Sequence, residues 1–127
     1  MRRVVIDMQS YLFSDAISMA LMNSDYDFEV HNSSYPGDTA ELCRLFTPYA
    51  LLMEVTSYMP WKLEERLAIR NKVKQQVPDC KIVLIVDENS EKMLAREVAQ
   101  AKKNGLIDNF IYGSVSSAYL SAVIDTL

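Results

Sequence analysis

The sequence predicts an α/β fold in which one sheet of five parallel strands is covered by helices on both faces. Hydrophobic residues alternate along the chain between short strand-like runs and stretches with helical spacing, and this alternation occurs five times. Two of the runs, "YALLMEV" and "KIVLIVD", are apolar almost throughout, which is typical of central parallel strands buried on both faces. Strand–helix units of this kind join through right-handed crossovers and give three α/β/α layers.

The first part of the chain contains two strand–helix units. The run Val4 to Ile6 predicts the first strand, and a helix follows from Ser10, with apolar residues every three or four positions. "FEVHN" alternates between apolar and polar residues, which indicates an edge strand with one exposed side. Asp38 and Glu41 resemble a capping box at the start of a second helix.

The third unit contains the most unusual acidic residue of the sequence. The buried run "YALLMEV" ends in a single carboxylate, Glu54, and a helix is predicted to start just after Pro60, with an apolar arc that extends to Val77. A carboxylate at the end of a buried strand is costly unless it serves structure or chemistry. Glu54 is therefore the first candidate for a functional residue.

The last two units complete the sheet. After "KIVLIVD", a helix over 89–104 is predicted, with Gly105 in the position of a left-handed cap. "NFIY" predicts the last strand, at 109–112. A final helix over 115–127 is expected to be capped by Ser114.

Composition limits the class of protein. The 127 residues are half hydrophobic, which suits one domain with its own core, and no output domain is expected within 1–127. The net charge of −4 argues against direct nucleic-acid binding by this domain. The opening "MRRVVIDMQS" is too short in apolar residues for a signal peptide or a membrane span. We therefore expect a cytoplasmic domain, with Cys43 and Cys80 as reduced core residues.

The predicted topology places a candidate site at one edge of the sheet. For five such units the flavodoxin-like strand order 2-1-3-4-5 is favoured, and the edge strand "FEVHN" agrees with it. Sites in such sheets form at the carboxyl ends of the strands, near the switch point between the first and third strands. The residues predicted to reach this edge are Asp7, Met8, Gln9, Glu54, Val86, Asp87 and Tyr112.

Four segments resemble those of a response-regulator receiver domain. "VVIDMQSYLFSDAI" resembles the opening strand, acidic pair and first helix of that family, and "PYALLMEV" resembles the strand that ends in the phosphorylated aspartate. "VPDCKIVLIVDENSE" and "GLIDNFIYGSV" resemble the segments that carry the switch hydroxyl and the lysine. The resemblance covers the whole chain, implies the CheY-like fold, and is greatest to receivers of helix-turn-helix transcription regulators.

The residues at the chemical positions of that family are changed. Phosphoryl transfer to a receiver uses a carboxylate nucleophile, two acids that hold magnesium, a hydroxyl and a lysine. The resemblance aligns Glu54 with the nucleophile. It aligns Met8 and Gln9, or Asp7 and Met8, with the two acids. The remaining positions are Val86 for the hydroxyl, Tyr112 for the lysine and Asn109 for the aromatic switch residue. It therefore implies a degenerate receiver without catalytic residues, metal or cofactor, which is not an enzyme and acts in signalling independently of phosphorylation.

Glu54 has three open roles. Its longer side chain imitates a phosphorylated aspartate, or it is a structural residue held by hydrogen bonds to the loop "VTSY", or it still accepts phosphate inefficiently. Two rival functions also stay open. One is a working receiver with unusual acceptor residues, and the other is a small-molecule binder in which Tyr112 and Met8 line a pocket.

The resemblance also implies where partners bind. Receivers commonly use the face formed by the fourth helix, the last strand and the last helix for self-association or output contact. In this sequence the face corresponds to the helix over 89–104, the strand over 109–112 and the helix over 115–127. We expect protein–protein contacts there and no contact with membranes.

Overall fold

The five strands form one parallel sheet in the order β2-β1-β3-β4-β5, in a computed structural model that describes all 127 residues. This confirms the predicted fold class and strand order. The strands are β1 (Arg2–Asp7), β2 (Phe28–Asn32), β3 (Ala50–Glu54), β4 (Lys81–Val86) and β5 (Asn109–Tyr112). The helices are α1 (Tyr11–Met22), α2 (Thr39–Phe46), α3 (Leu63–Gln76), α4 (Lys92–Lys103) and α5 (Ser117–Asp125).

Each face of the sheet carries its own hydrophobic core. On one face β1, β3 and β4 pack against α2, α3 and α4, and Cys43 and Cys80 belong to this core. On the other face the sheet packs against α1 and α5. Because successive side chains of a strand point to opposite faces, neighbouring residues at a strand end enter different cores.

The carboxyl ends of β1, β3 and β4 lie side by side, as the sequence predicted. Asp7 is opposite Met53 in the pairing of β1 with β3, and Glu54 is opposite Ile85 in the pairing of β3 with β4. This edge is called the rim below, and it consists of residues 7–9, 54–57, 86–91 and 112–114. All candidate site residues except Asn109 lie on it.

In the first half, one predicted helix start and one predicted helix cap differ from the structure. The helix expected just after Pro60 begins at Leu63, because the preceding loop closes on itself through a hydrogen bond from the Trp61 amide to the Tyr58 carbonyl (2.9 Å). Asp38 precedes α2 but makes no side-chain cap, since its backbone is already helical. The capping-box prediction is therefore wrong.

The two helices of the predicted contact face are shorter than expected. The helix predicted over 89–104 begins at Lys92, because the Asp87 carboxylate accepts hydrogen bonds from the amides of Asn89 and Ser90 and holds these residues in a turn. The helix predicted over 115–127 comprises Ser117–Asp125.

Ser116 caps the last helix instead of Ser114. Its hydroxyl accepts a hydrogen bond from the amide of Tyr119 (3.2 Å), while the hydroxyl of Ser114 donates to Glu88 across the rim. The strand over 109–112 and the left-handed cap at Gly105, which has a φ of 77°, are as predicted. None of the helices combines the length and the apolar character that crossing a membrane requires.

Candidate functional site

Glu54 is the last residue of β3 and is partly buried at the rim. Its Oε1 accepts a hydrogen bond from the amide of Gln9, at 2.8 Å. One of the three open roles has this carboxylate held by the loop "VTSY", but the amide of Thr56 in that loop donates to the Trp61 carbonyl. Glu54 therefore connects β3 to the end of β1 and not to its own loop.

Asp7 is buried beneath the rim and forms an ion pair with Arg66 of α3. Its side chain is 1% exposed and that of Arg66 is 0% exposed. Arg66 donates from Nη1 to Oδ2 of Asp7 at 2.7 Å, and from Nη2 to Oδ1 at 3.2 Å. The carboxylate is thus held in a two-pronged contact, the strong geometry of arginine–carboxylate pairs.

Arg66 also binds the main chain of two strands. Its Nε donates to the carbonyl of Glu54 at 2.7 Å, and its Nη2 donates to the carbonyl of Asp7 at 3.1 Å. Sequence reasoning missed this residue, because an arginine in a helix is usually exposed. The available signal was its position: Arg66 precedes Val73 by seven residues, so both lie on the same helical stripe beneath the buried acid.

A hydroxyl pair completes the surroundings of Asp7. The hydroxyl of Thr39, at the start of α2, donates to Oδ2 of Asp7 at 2.6 Å, and the hydroxyl of Ser33 lies 2.7 Å from that of Thr39. The Ser33 hydroxyl also donates to the carbonyl of Tyr35, at 3.1 Å. The carboxylate of Asp7, at the end of β1, is thereby bound by side chains of both α2 and α3.

The two residues after Asp7 do not restore an acidic pair. Met8 is buried among the α1 and α5 side chains, on the opposite face of the sheet from Asp7. Gln9 is exposed, and its amide, not its side chain, contacts Glu54. The rim therefore presents one partly buried carboxylate from β3 and none from β1.

Val86 and Asp87 form the β4 part of the rim. Val86 is 1% exposed and offers no hydroxyl. Hydrogen bonds from Ser90 and from the Asn89 amide lower the pKa of Asp87 below its ordinary value. These residues border an open cleft of about 430 Å³, whose lining includes Ser10, Phe13, Glu54, Val86, Asp87 and Ser114.

Tyr112 and Asn109 belong to a different cleft. It has a volume of about 400 Å³ and lies between β5 and the start of α5, where Tyr112 packs edge-on against Phe110 with ring centroids 5.5 Å apart. Lys102 donates to the Asn109 side chain at 3.1 Å. Met8 is not among the residues that line this cleft.

The rim does not fit the magnesium ion that phosphoryl transfer to a receiver uses. Magnesium in such sites is bound by one or two carboxylates together with water. Asp7 is enclosed by Arg66 and Thr39, which leaves Glu54, with Oε1 bound by the Gln9 amide, as the one carboxylate that β1 and β3 offer at the rim. No group of three or more histidine, cysteine, aspartate or glutamate side chains is arranged to hold a metal ion.

Comparison with known proteins identifies the fold. No family model and no curated protein sequence matches the chain. A response regulator receiver domain protein from Clostridium thermocellum is similar in structure, with a TM-score of 0.79, 12% identity, and coverage of 99% of this chain and 93% of that one. A response regulator from Desulfuromonas acetoxidans gives a TM-score of 0.74 and 17% identity, with coverage of 99% and 95%.

A third solved structure is a DNA-binding response regulator of the LuxR family from Staphylococcus aureus. Its TM-score is 0.72 and its identity 12%, and the alignment covers 99% of this chain and 98% of that one. The likenesses extend over the whole sheet and all five helices, in agreement with the strand order. The chain therefore has the CheY-like fold of response-regulator receiver domains.

Proposed function

We propose that this domain is a receiver-like regulatory domain that acts by protein contact and does not use phosphorylation. The observation that supports the proposal most directly is the state of the two acids at the rim. The carboxylate of Glu54 accepts the Gln9 amide, and that of Asp7 is bound by Arg66 beneath the rim. Because Asp7 is already neutralised by an arginine, Glu54 has no free carboxylate from β1 beside it with which to hold magnesium.

The other chemical positions point the same way. A phosphoryl group attached to the rim needs donors and cations that stabilise its oxygens. Val86 has no donor, and Tyr112 has no positive charge. The domain thus lacks the groups that would stabilise the transition state of phosphoryl transfer or bind the attached phosphoryl group. We therefore assign it no enzymatic activity.

Incubation with acetyl phosphate and magnesium tests this function. Intact mass is measured for the wild type, for Glu54→Gln, and for a receiver with all its motif residues as a positive control. We expect a mass increase only in the positive control. A phosphoryl adduct on the wild type that disappears in Glu54→Gln would show a working receiver and refute the proposal.

The proposed contact surface consists of α4, β5 and α5. Tyr112 and Tyr119 are exposed on it, and the cleft between β5 and α5 lies beside them. Acids precede α4 at Asp87, Glu88 and Glu91, and lysines end it at Lys102 and Lys103, with Lys92, Arg96 and Glu97 between these two groups. A helix of 12 residues holds the two groups about 18 Å apart.

This charge pattern favours a second copy of the domain as the partner. A two-fold axis across the middle of α4 brings the lysines of one copy against the acids of the other, so the surface is complementary to itself. Such pairing guides association and is weakened by salt. The domain would therefore form a weak, salt-sensitive dimer.

Sedimentation velocity tests the dimer. Lys103→Glu reverses a charge at the basic end of α4, and Lys72→Glu makes the same change on an exposed site of α3 as the matched control. We expect concentration-dependent dimers in the wild type and in Lys72→Glu, with fewer in Lys103→Glu or at high salt. Monomers at every concentration, or equal effects of the two variants, would contradict the proposed surface.

A further inference from the structure

Arg66 is the largest side chain that is fully excluded from solvent in this protein. A buried guanidinium needs an anionic partner and a full set of acceptors, because removing the charge from water is very costly. Asp7 supplies the anion, yet the arginine also reaches beyond this partner. The additional contacts indicate a task other than neutralising one acid.

The guanidinium joins two strands. Its four hydrogen bonds use all three nitrogens: two reach the Asp7 carboxylate, one the Asp7 carbonyl and one the Glu54 carbonyl. The two bonds to the Asp7 carboxylate are enough to neutralise the charge of Arg66. The bond from Nε to Glu54, at 2.7 Å, ties the last residue of β3 to the last residue of β1.

The oxygens that Arg66 binds are of the kind that a divalent cation binds. Carboxylate and main-chain carbonyl oxygens are hard ligands suited to magnesium or calcium. Here they are occupied by a cation that belongs to the chain, and the Thr39 hydroxyl takes part of the remaining capacity of Asp7. The rim that does not fit magnesium thus has the guanidinium of Arg66 beneath it.

We propose that the Arg66 guanidinium takes the structural place of a divalent ion in this domain, by joining the carboxyl ends of β1 and β3 and fixing the position of Glu54. The rim would then have one permanent geometry that requires no metal. This inference concerns how the rim is held and is independent of which signal or partner the domain serves.

The matched control is Arg70, four residues further along the same helix. It is partly exposed, its Nε donates to the carbonyl of Leu106 at 2.7 Å, and it contacts neither β1 nor β3. Arg66→Met and Arg70→Met thus remove the same side chain from one helix, with and without the tie between strands.

Amide hydrogen exchange, followed by NMR, tests whether Arg66 holds the ends of β1 and β3 together. The amides of Gln9 and Val55 report on the rim, because they donate to Glu54 and to the Ile85 carbonyl. The amide of Lys81, which donates to the Tyr49 carbonyl at the opposite end of the sheet, reports on overall stability. In Arg66→Met we expect exchange at the rim to rise at least roughly tenfold more than at Lys81. In Arg70→Met the rim and Lys81 should change together.

Further results would overturn the inference. Equal acceleration at all three amides in Arg66→Met would show an ordinary stabilising residue. Faster exchange at the rim of the wild type in EDTA, reversed by MgCl₂, would show that a metal ion does hold the strands.

A milder variant keeps the test valid if Arg66→Met does not fold. Arg66→Lys retains the charge but lacks the planar fork. We expect it to fold, with faster exchange confined to Gln9 and Val55. Exchange rates in Arg66→Lys equal to those of the wild type would also contradict the inference. They would show that a single positive charge holds the strand ends as well as four directed hydrogen bonds do.

Discussion

The amide of Gln9 donates a hydrogen bond to Oε1 of Glu54 across the gap between β1 and β3, at 2.8 Å. This contact gives the acid at the end of the buried strand a structural role. The extra methylene of glutamate, relative to aspartate, carries the carboxylate towards the neighbouring strand. Of the three roles considered for Glu54, the geometry favours the hydrogen-bonded structural one, although the donor differs from the one expected.

Shortening Glu54 should break this contact. Glu54→Asp removes one methylene and should cost about 1 kcal/mol of unfolding free energy, the usual worth of one hydrogen bond. Glu54→Gln keeps the reach and an acceptor oxygen, so it serves as the control and should change stability less. Urea unfolding measures both, and the Gln9 amide chemical shift shows whether the bond is present. Equal stability of wild type and Glu54→Asp would contradict this role.

Breaking the buried ion pair should cost more than replacing it. Arg66→Met leaves the Asp7 carboxylate buried and unpaired, which should lower the unfolding free energy by about 3–5 kcal/mol. The double variant Asp7→Leu/Arg66→Met removes both charges and should recover part of that loss. Urea unfolding of both variants, with Asp7→Leu alone, gives the coupling energy. A double variant as unstable as the sum of the two single ones would show that the charges do not interact.

The two thiols should be unreactive in the folded protein. Burial raises the pKa of Cys43 and of Cys80 to about 12, so the reactive thiolate is scarce at neutral pH. Titration with a thiol-reactive dye should label neither residue quickly, and both should react at once in urea. Fast labelling of one thiol in the native protein would mean that its part of the core opens.

Acidification should release the turn before α4. The pKa of Asp87 lies below its ordinary value of 3.8, because Ser90 and the Asn89 amide bind the ionised form. A lowered pKa means that the stabilisation is present above 3.8 and is lost as the pH falls through the folded pKa. The Asn89 and Ser90 amide shifts should titrate with a midpoint below 3.8, and should not titrate in Asp87→Asn. A midpoint above 3.8 would disprove the cap.

Substitution at two left-handed helix ends should change the stability of the protein in different ways. Gly105 has a φ of 77° with free space around it, so Gly105→Ala should cost about 1 kcal/mol from backbone strain alone. Thr47 has a φ of 43° despite its branched side chain. Thr47→Gly should therefore raise stability, or leave it unchanged once the entropy of glycine is counted. Thermal unfolding of the two variants compares them, and a stabilised Gly105→Ala would contradict the assignment.

The sheet could be predicted because its signals are local. Continuous apolar runs around Leu51 and Leu84 identify central strands, and the alternation in "FEVHN" identifies an edge strand. Helix starts were less predictable, because several hydroxyl and acidic residues near each start compete to cap it. At α5, Ser114 and Ser116 are equally suitable in sequence, and only the contact of Ser114 with Glu88 decides between them.

The interior of the site could not be predicted, because it depends on a contact between distant residues. Asp7 and Arg66 are 59 positions apart, and nothing local marks either as buried. A buried acid nevertheless requires a cation or hydrogen-bond donors, and Arg66 shares a helical stripe with Val73. Combining these two conditions would have pointed to the ion pair.

The positive charge beneath the rim belongs to a side chain and cannot dissociate from the protein. An ion from solution occupies its site in proportion to its concentration relative to its dissociation constant. The guanidinium of Arg66 instead meets the strand ends at an effective concentration set by the fold. Its occupancy is therefore the same at every magnesium concentration. The geometry of the two strand ends is established once, when the chain folds, and it persists for as long as the protein does.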